Sequence, residues 1–360
     1  MNDEALLELL QRCITTHSPS GREKELSDLV RQELDAFGIP HTTDAAGNVI
    51  ARFPRQADES SREDAAGGAV LCVAHMDEIG MVVKTVGEDG RLVVNELGTA
   101  FPWKYGEGPV DVLGDREVVT GVFSCGSAHV GTVATALGGA AVPSDWTAWW
   151  VETKQSAESL RSAGVRPGSK VVPGRARKMI TWIGDDHISG FALDDKAGVA
   201  VLLAIALRLR DEPPANDTVL AFTCNEETGA AGAAWLAAEL RPRTMIALEV
   251  APNAPEYGVV NDGRPVLFVR DWLGPYSEDV VAELQHSAAA IEVDPQYWAG
   301  WVAATDSSVS TRAGHAARSA VVAFPTDNTH GWEITSWASL CNVRDLLVHY
   351  LTSAASSHGD

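Results

Sequence analysis

The sequence is poor in cysteine and has no pair of them at metal or redox spacing. Its five cysteines, Cys13, Cys72, Cys125, Cys224 and Cys341, are scattered over 360 residues. An odd count without CxxC spacing argues against a disulfide framework and for a reducing compartment. Cys72 and Cys224 lie inside apolar strand patterns and read as plain core residues. Positive charge is scarce too: 28 Lys and Arg stand against 49 Asp and Glu, a net charge of -21. That balance argues against nucleic acid and against an anionic membrane surface as partner. No run approaches the roughly 20 apolar residues of a membrane span. The N-terminal MNDEALLELL is acidic and amphipathic, unlike a secretory signal. There is no internal repeat and no low-complexity segment. These absences describe a soluble cytoplasmic protein. At 45% hydrophobic residues the chain can bury a sizeable core, as one large domain or two moderate ones.

What is present is organised around VLAFTCNEETGAAGA, residues 219–233. Val219, Leu220, Ala221 and Phe222 read as a buried strand. Two adjacent acids follow, Glu226 and Glu227, then a small-residue turn and a helical pattern. Carboxylates at the end of a buried strand need a cation or a proton, because an unpaired buried charge is unfavourable. Open α/β sheets bind their ligands beyond the carboxyl ends of the strands. Glu227 reads as a metal ligand and Glu226 as a general base; two solvated loop acids are the plainer alternative.

In chain order, leucines at helical spacing fill residues 3–13. Ser20, three residues before Glu23, offers a capping box for a helix reaching about Phe37. Val49–Phe53 reads as a strand, and residues 55–68 as a charged surface loop. The strand Val70–Ala74 delivers His75 and Asp77, which on extended backbone face the same way. An acid beside a histidine is the usual way to orient the ring toward a metal, and Asp77 is assigned that role. From Met81 to Asp185 short β-like runs alternate with glycine turns, which describes a small β-rich domain inserted into an α/β chain. Trp146, Trp149 and Trp150 fall in it, either in its own core or at an interface; His129 reads as structural. The α/β texture resumes at Ile188. Asp194 and Asp195 precede a long apolar helix, Glu249 follows the strand Met245–Val250, and His330 lies in the loop after the strand Ala320–Phe324.

His75, Asp77, Asp194, Glu226, Glu227, Glu249 and His330 thus all sit at strand ends or just before a helix. Singly, each has an ordinary explanation as a cap or a solvated acid; together, at equivalent places on one sheet, they do not. Imidazole with carboxylate suits zinc, cobalt or manganese rather than calcium or a thiolate site. Two histidines and three acids suffice for two ions sharing one carboxylate, a pairing that activates water and polarises a carbonyl. The base must then be a carboxylate that is not a ligand, and Glu226 fits.

HMDEIG at 75–80, ALDDKAG at 192–198, CNEETGAAGA at 224–233 and THGWE at 329–333 resemble the glutamyl aminopeptidase/tetrahedral aminopeptidase family of co-catalytic metallopeptidases. SPSGRE at 18–23, the DAAGN turn, AGVRPGSKV and TDSS at 305–308 extend the resemblance over almost the whole chain. It implies a three-layer α/β/α catalytic domain, residues 1–80 and 186–360, with an inserted barrel-like domain, residues 81–185, used for dimerisation or larger assembly. It implies two divalent metal ions per subunit, zinc with cobalt or manganese as alternatives. His75, Asp194 and Glu249 would hold one ion and Asp194, Glu227 and His330 the other. Glu226 would be the base, Asp77 would orient His75, and Asp195 would support the loop. Short peptides would be the substrates and a homo-oligomer, from dimer to dodecamer, the assembly. The chain departs from the family at Glu249, where aspartate is usual, at Thr326-Asp327-Asn328, where an arginine is common, and at the single Gly98. A deacylase of N-acyl amino acids and a silent scaffold remain the alternative functions.

Overall fold

Uninterrupted apolar strands have to be covered on both faces, and in the computed structural model they form the middle of the molecule. The structure describes residues 1–55, 68–127 and 144–353, so His129 lies outside the described residues. Val70–His75, Thr218–Thr223, Thr244–Pro252 and Arg318–Asp327 are buried along almost their whole length. They run parallel, in the order Thr218–Thr223, Val70–His75, Thr244–Pro252, Arg318–Asp327. Antiparallel strands extend this core on both sides: Val49–Phe53 and His41–Thr43 on one, Trp332–Ser336, His187–Phe191 and Thr181–Ile183 on the other.

One face is covered by the helix Leu193–Asp211, itself flanked by Asp3–Thr15 and Trp337–Thr352. Leu6, Leu10, Ile14, Leu202, Ile205 and Leu346 meet in that core. The opposite face buries Leu236, Met245, Phe268 and Trp298. The result is the three-layer α/β/α arrangement expected of the resemblance. Among the described residues no helix is long and apolar enough to cross a membrane.

Between Val70–His75 and His187–Phe191 the chain forms a closed barrel of six antiparallel strands. Its strands are Gly80–Val86, Arg91–Leu97, Trp150–Glu152, Val118–Ser124, Gly108–Leu113 and Lys170–Pro173, in that order around the barrel. Closure removes the strand edges that a small sheet would expose. Trp149 is 4% exposed and stacks on Phe123 with ring centroids 4.8 Å apart. That indole therefore belongs to the barrel's own core, not to an interface. Trp146 packs near Phe123 at 6.0 Å, and Arg91 lies over Trp150 at 5.0 Å. The chain is back in the large sheet at Thr181, ahead of residue 186, because the three-residue strand Thr181–Ile183 pairs with His187–Phe191. So short a strand carries no periodicity to read.

The two parts are joined by a buried polar cluster. Lys178 Nζ donates to both oxygens of Glu78 at 2.7 and 2.6 Å, and Lys196 Nζ lies 3.0 Å from the same carboxylate. His17 Nε2 meets Asp111 of the barrel at 3.0 Å, and its Nδ1 lies 3.2 Å from Lys178. Burial alone would raise the Glu78 carboxyl, but the two ammonium groups overcome it and hold it at about 2. Such pairs fix register, since an unpaired partner left behind would be a buried charge.

Candidate metal centre

Parallel strands point their carboxyl ends to one edge, so residues far apart in sequence arrive together there. Val70–His75 ends on His75 itself, and Thr218–Thr223 runs into Glu226 and Glu227. Glu249 lies in Thr244–Pro252, His330 follows Arg318–Asp327, and Asp194 opens the long helix.

Asp194 stands between the two imidazoles. Its Oδ1 is 3.0 Å from His75 Nε2, and its Oδ2 is 3.5 Å from His330 Nε2. His330 Nε2 is also 3.7 Å from Glu227 Oε2. Donor atoms of His75, Asp194 and Glu227 lie within 4.8 Å of one another, and so do those of His75, Glu226 and Glu249. All six residues with ligand chemistry are thus in one cluster. Glu226 is within reach of His75 and Glu249, so proximity alone does not separate a base from a ligand.

Both rings are oriented from behind. His75 Nδ1 lies 3.0 Å from the Asp77 carbonyl, and His330 Nδ1 lies 2.6 Å from the Thr99 carbonyl. A carbonyl only accepts, so each Nδ1 carries the hydrogen and each Nε2 is left free to bind. For His75 this is the backbone of Asp77; its carboxylate is farther, at 3.5 Å. That carboxylate instead accepts from the backbone N–H of Glu226 at 2.9 Å, of Glu227 at 3.2 Å and from Ser20 Oγ at 2.7 Å. Asp77 therefore fixes the loop carrying the two glutamates. Ser20 consequently does not cap a helix: the helix Lys24–Ala36 begins after Glu23, with no side-chain cap. Glu23 accepts from the backbone N–H of Asn225 at 3.2 Å, holding the same loop from its other side.

Glu333, inside THGWE, is a functional residue that spacing along the chain does not reveal. Glu333 is buried, and it accepts the N–H of Asp194 and of His330, each at 3.1 Å. Asp195 accepts the N–H of His75 at 3.2 Å. Ala192, Asn225, Ala230 and His330 all take left-handed backbone with φ between 56° and 60°. Such non-glycine conformations are unfavourable by roughly 1–3 kcal/mol each and concentrate at sites that need an unusual chain path.

The cluster holds more acid than the protein neutralises. Burial pushes the carboxyl of Glu226 well up, with Asp306 and Glu227 adding to it against His75. Glu227 is pushed up to about 7 and Glu333 to about 8, burial being the main cause for both. Glu249 is raised by burial and by Glu226 and Asp194. Glu227 Oε1 is buried with no hydrogen-bond partner among the described residues. An orphaned carboxylate oxygen, crowded like charges and two Nε2 atoms turned inward fit divalent cations, whose charge relieves each of these at once.

The chain matches the model of the M42 glutamyl aminopeptidase family over residues 47–346. It is 26% identical to a putative aminopeptidase of Bacillus subtilis, YhfE, over 96% of this chain and 97% of that protein. Among solved structures, the aminopeptidase APDkam598 of Desulfurococcus kamchatkensis superposes with a TM-score of 0.85 at 22% identity, covering 98% of this chain and 96% of that one. The TET1 peptidase of Pyrococcus horikoshii, which can assemble into a tetrahedron or a large octahedral shell, does so at 0.83 and 22%, covering 97% and 99%.

Proposed function

We propose, for a chain that belongs to the M42 glutamyl aminopeptidase family and so hydrolyses peptide bonds, a cytoplasmic aminopeptidase that removes N-terminal residues from short peptides with two divalent ions. His75, Asp194 and Glu249 would hold one ion, and Asp194, Glu227 and His330 the other, with Asp194 shared. The observation that carries this reading is Asp194 itself, whose two oxygens face one imidazole each. When bound, such ions polarise a carbonyl and lower the pKa of water. Glu226 takes the proton of the attacking water and passes it to the nitrogen of the leaving amine. Asp77 holds Glu226 and Glu227 in register through their backbone N–H groups, and Glu333 holds the backbone of Asp194 and His330.

The test is a panel of aminoacyl chromogenic amides and N-acetyl amino acids, assayed with zinc, cobalt and manganese. The amides are expected to be cleaved. Chelation is expected to abolish that activity, and an added divalent ion to restore it. Cleavage of the acyl amino acids alone would make the chain a deacylase instead.

The chain is further proposed to be a homo-oligomer, from dimer to dodecamer. Val93, Val118 and Val122 are each more than 40% exposed on the outside of the barrel, where a partner would cover them. Light scattering at micromolar concentration is expected to give at least twice the monomer mass. An active, monodisperse monomer would end this part of the proposal.

A further inference from the structure

No ligand in the proposed centre comes from the barrel, yet one barrel segment closes over it. Gly98 has φ of +77°, and a Cβ there would stand 2.8 Å from Ile79 Cγ2 and 3.4 Å from Glu227 Cβ. Only glycine lets the chain pass so near Glu227 in that conformation. The next residue, Thr99, accepts from His330 Nδ1 at 2.6 Å. Lys104 lies against Gly331, with its Cδ 3.2 Å from where a Cβ would be. The short helix Pro102–Tyr105 then ends on Tyr105, which lines a small cavity with Asp194, Glu227, His330 and Glu333.

Tyr105 is 3% exposed, and its hydroxyl has no hydrogen-bond partner among the described residues. The ring is held by Phe123, edge-on at 6.4 Å, and by Trp146, also at 6.4 Å. Its carbonyl accepts from Arg177 Nη2 at 2.7 Å. The side chain is thus buried among aromatic neighbours. A buried hydroxyl without a partner is unfavourable, and an acceptor arriving in the cavity would satisfy it. Burial, with the charges of Glu227, Glu78 and Glu333, holds the phenol well above its ordinary value, so it stays a donor.

We infer that Tyr105 is a catalytic residue supplied by the barrel, whose hydroxyl donates a hydrogen bond to the carbonyl oxygen of the scissile peptide bond. This rests on the peptidase reading of the same site. In hydrolysis the water oxygen bonds to the carbonyl carbon and the C–N bond then breaks. The water proton travels through Glu226 to the departing nitrogen. Between those events the carbonyl oxygen carries negative charge, and a fixed neutral donor strengthens there without itself losing its proton. A donor on the barrel also makes the docking of the two parts, through Glu78, Lys178 and Lys196, a condition for turnover.

Tyr105→Phe keeps the ring and removes only the hydroxyl. In the metal-loaded protein kcat is expected to fall roughly 10²-fold while KM and metal content stay within about twofold. Calorimetric binding of an amino-acid hydroxamate, read without turnover, is expected to weaken by roughly tenfold. An unchanged kcat overturns the inference, and so does a loss of activity that tracks a loss of metal. If the parent cleaves peptides and the variant matches it, only this inference falls. If the parent neither cleaves an aminoacyl amide nor binds the hydroxamate, the peptidase reading falls with it.

Discussion

Glu226→Gln is expected to keep its metal and to lose turnover by roughly 10² or more. The substitution preserves volume and the backbone N–H that Asp77 accepts at 2.9 Å, so the loop should stay in place. What disappears is the carboxylate that receives a proton. Glu227→Gln is the paired control. Glu227 faces His330 at 3.7 Å and has an orphaned oxygen, so its loss should weaken metal binding first, with activity following. Elemental analysis beside kcat for both variants separates the roles. Equal loss of metal in the two, with activity proportional to the metal retained, would mean that Glu226 is a ligand after all.

Asp194→Ala is expected to have the largest effect of any single substitution. Activity should fall below detection, and metal affinity should drop by more than the roughly 10–100-fold that loss of a mere outer-shell partner causes. Asp194 puts one oxygen 3.0 Å from the His75 ring and the other 3.5 Å from the His330 ring, so its removal would leave both proposed ions with an incomplete set. His75→Ala or His330→Ala should each damage one ion more than the other. Inductively coupled plasma analysis of the purified variants measures this directly. An Asp194→Ala protein that retained two ions per chain would remove the shared-ligand assignment.

Much of this was legible in the residues. The strands Val70–His75 and Thr218–Thr223 are buried at every position, as their apolar runs led one to expect. The adjacent acids after one strand and the histidine at the end of another stood out only together, at equivalent places beyond apolar runs. Glu333 was harder. It works through its two oxygens on the backbone of Asp194 and His330, 139 and 3 positions away, and backbone partners leave no trace in side-chain spacing. Ser20 misled for a related reason. A serine three residues before a glutamate satisfies the local capping pattern, but Asp77, 57 positions on, offers its hydroxyl a stronger, charged acceptor.

Alone, the sequence determined an α/β core, a β-rich insertion, and which side chains are candidates for metal chemistry, because period and polarity are local properties of the chain. Tertiary structure decided which of those side chains face one another: that Asp194 sits between His75 and His330, and that the Asp77 carboxylate, 3.5 Å from the His75 ring, also accepts the backbone N–H groups of the glutamate loop. It also decided that Trp149 fills the barrel and that Gly98, Thr99 and Tyr105 descend from that barrel onto the site. Those facts depend on how the barrel packs on the rest of the chain, through buried groups such as Glu78 and Lys178 that lie 100 positions apart. Contact across such a gap is set by packing and charge pairing in three dimensions, which no spacing along the chain encodes.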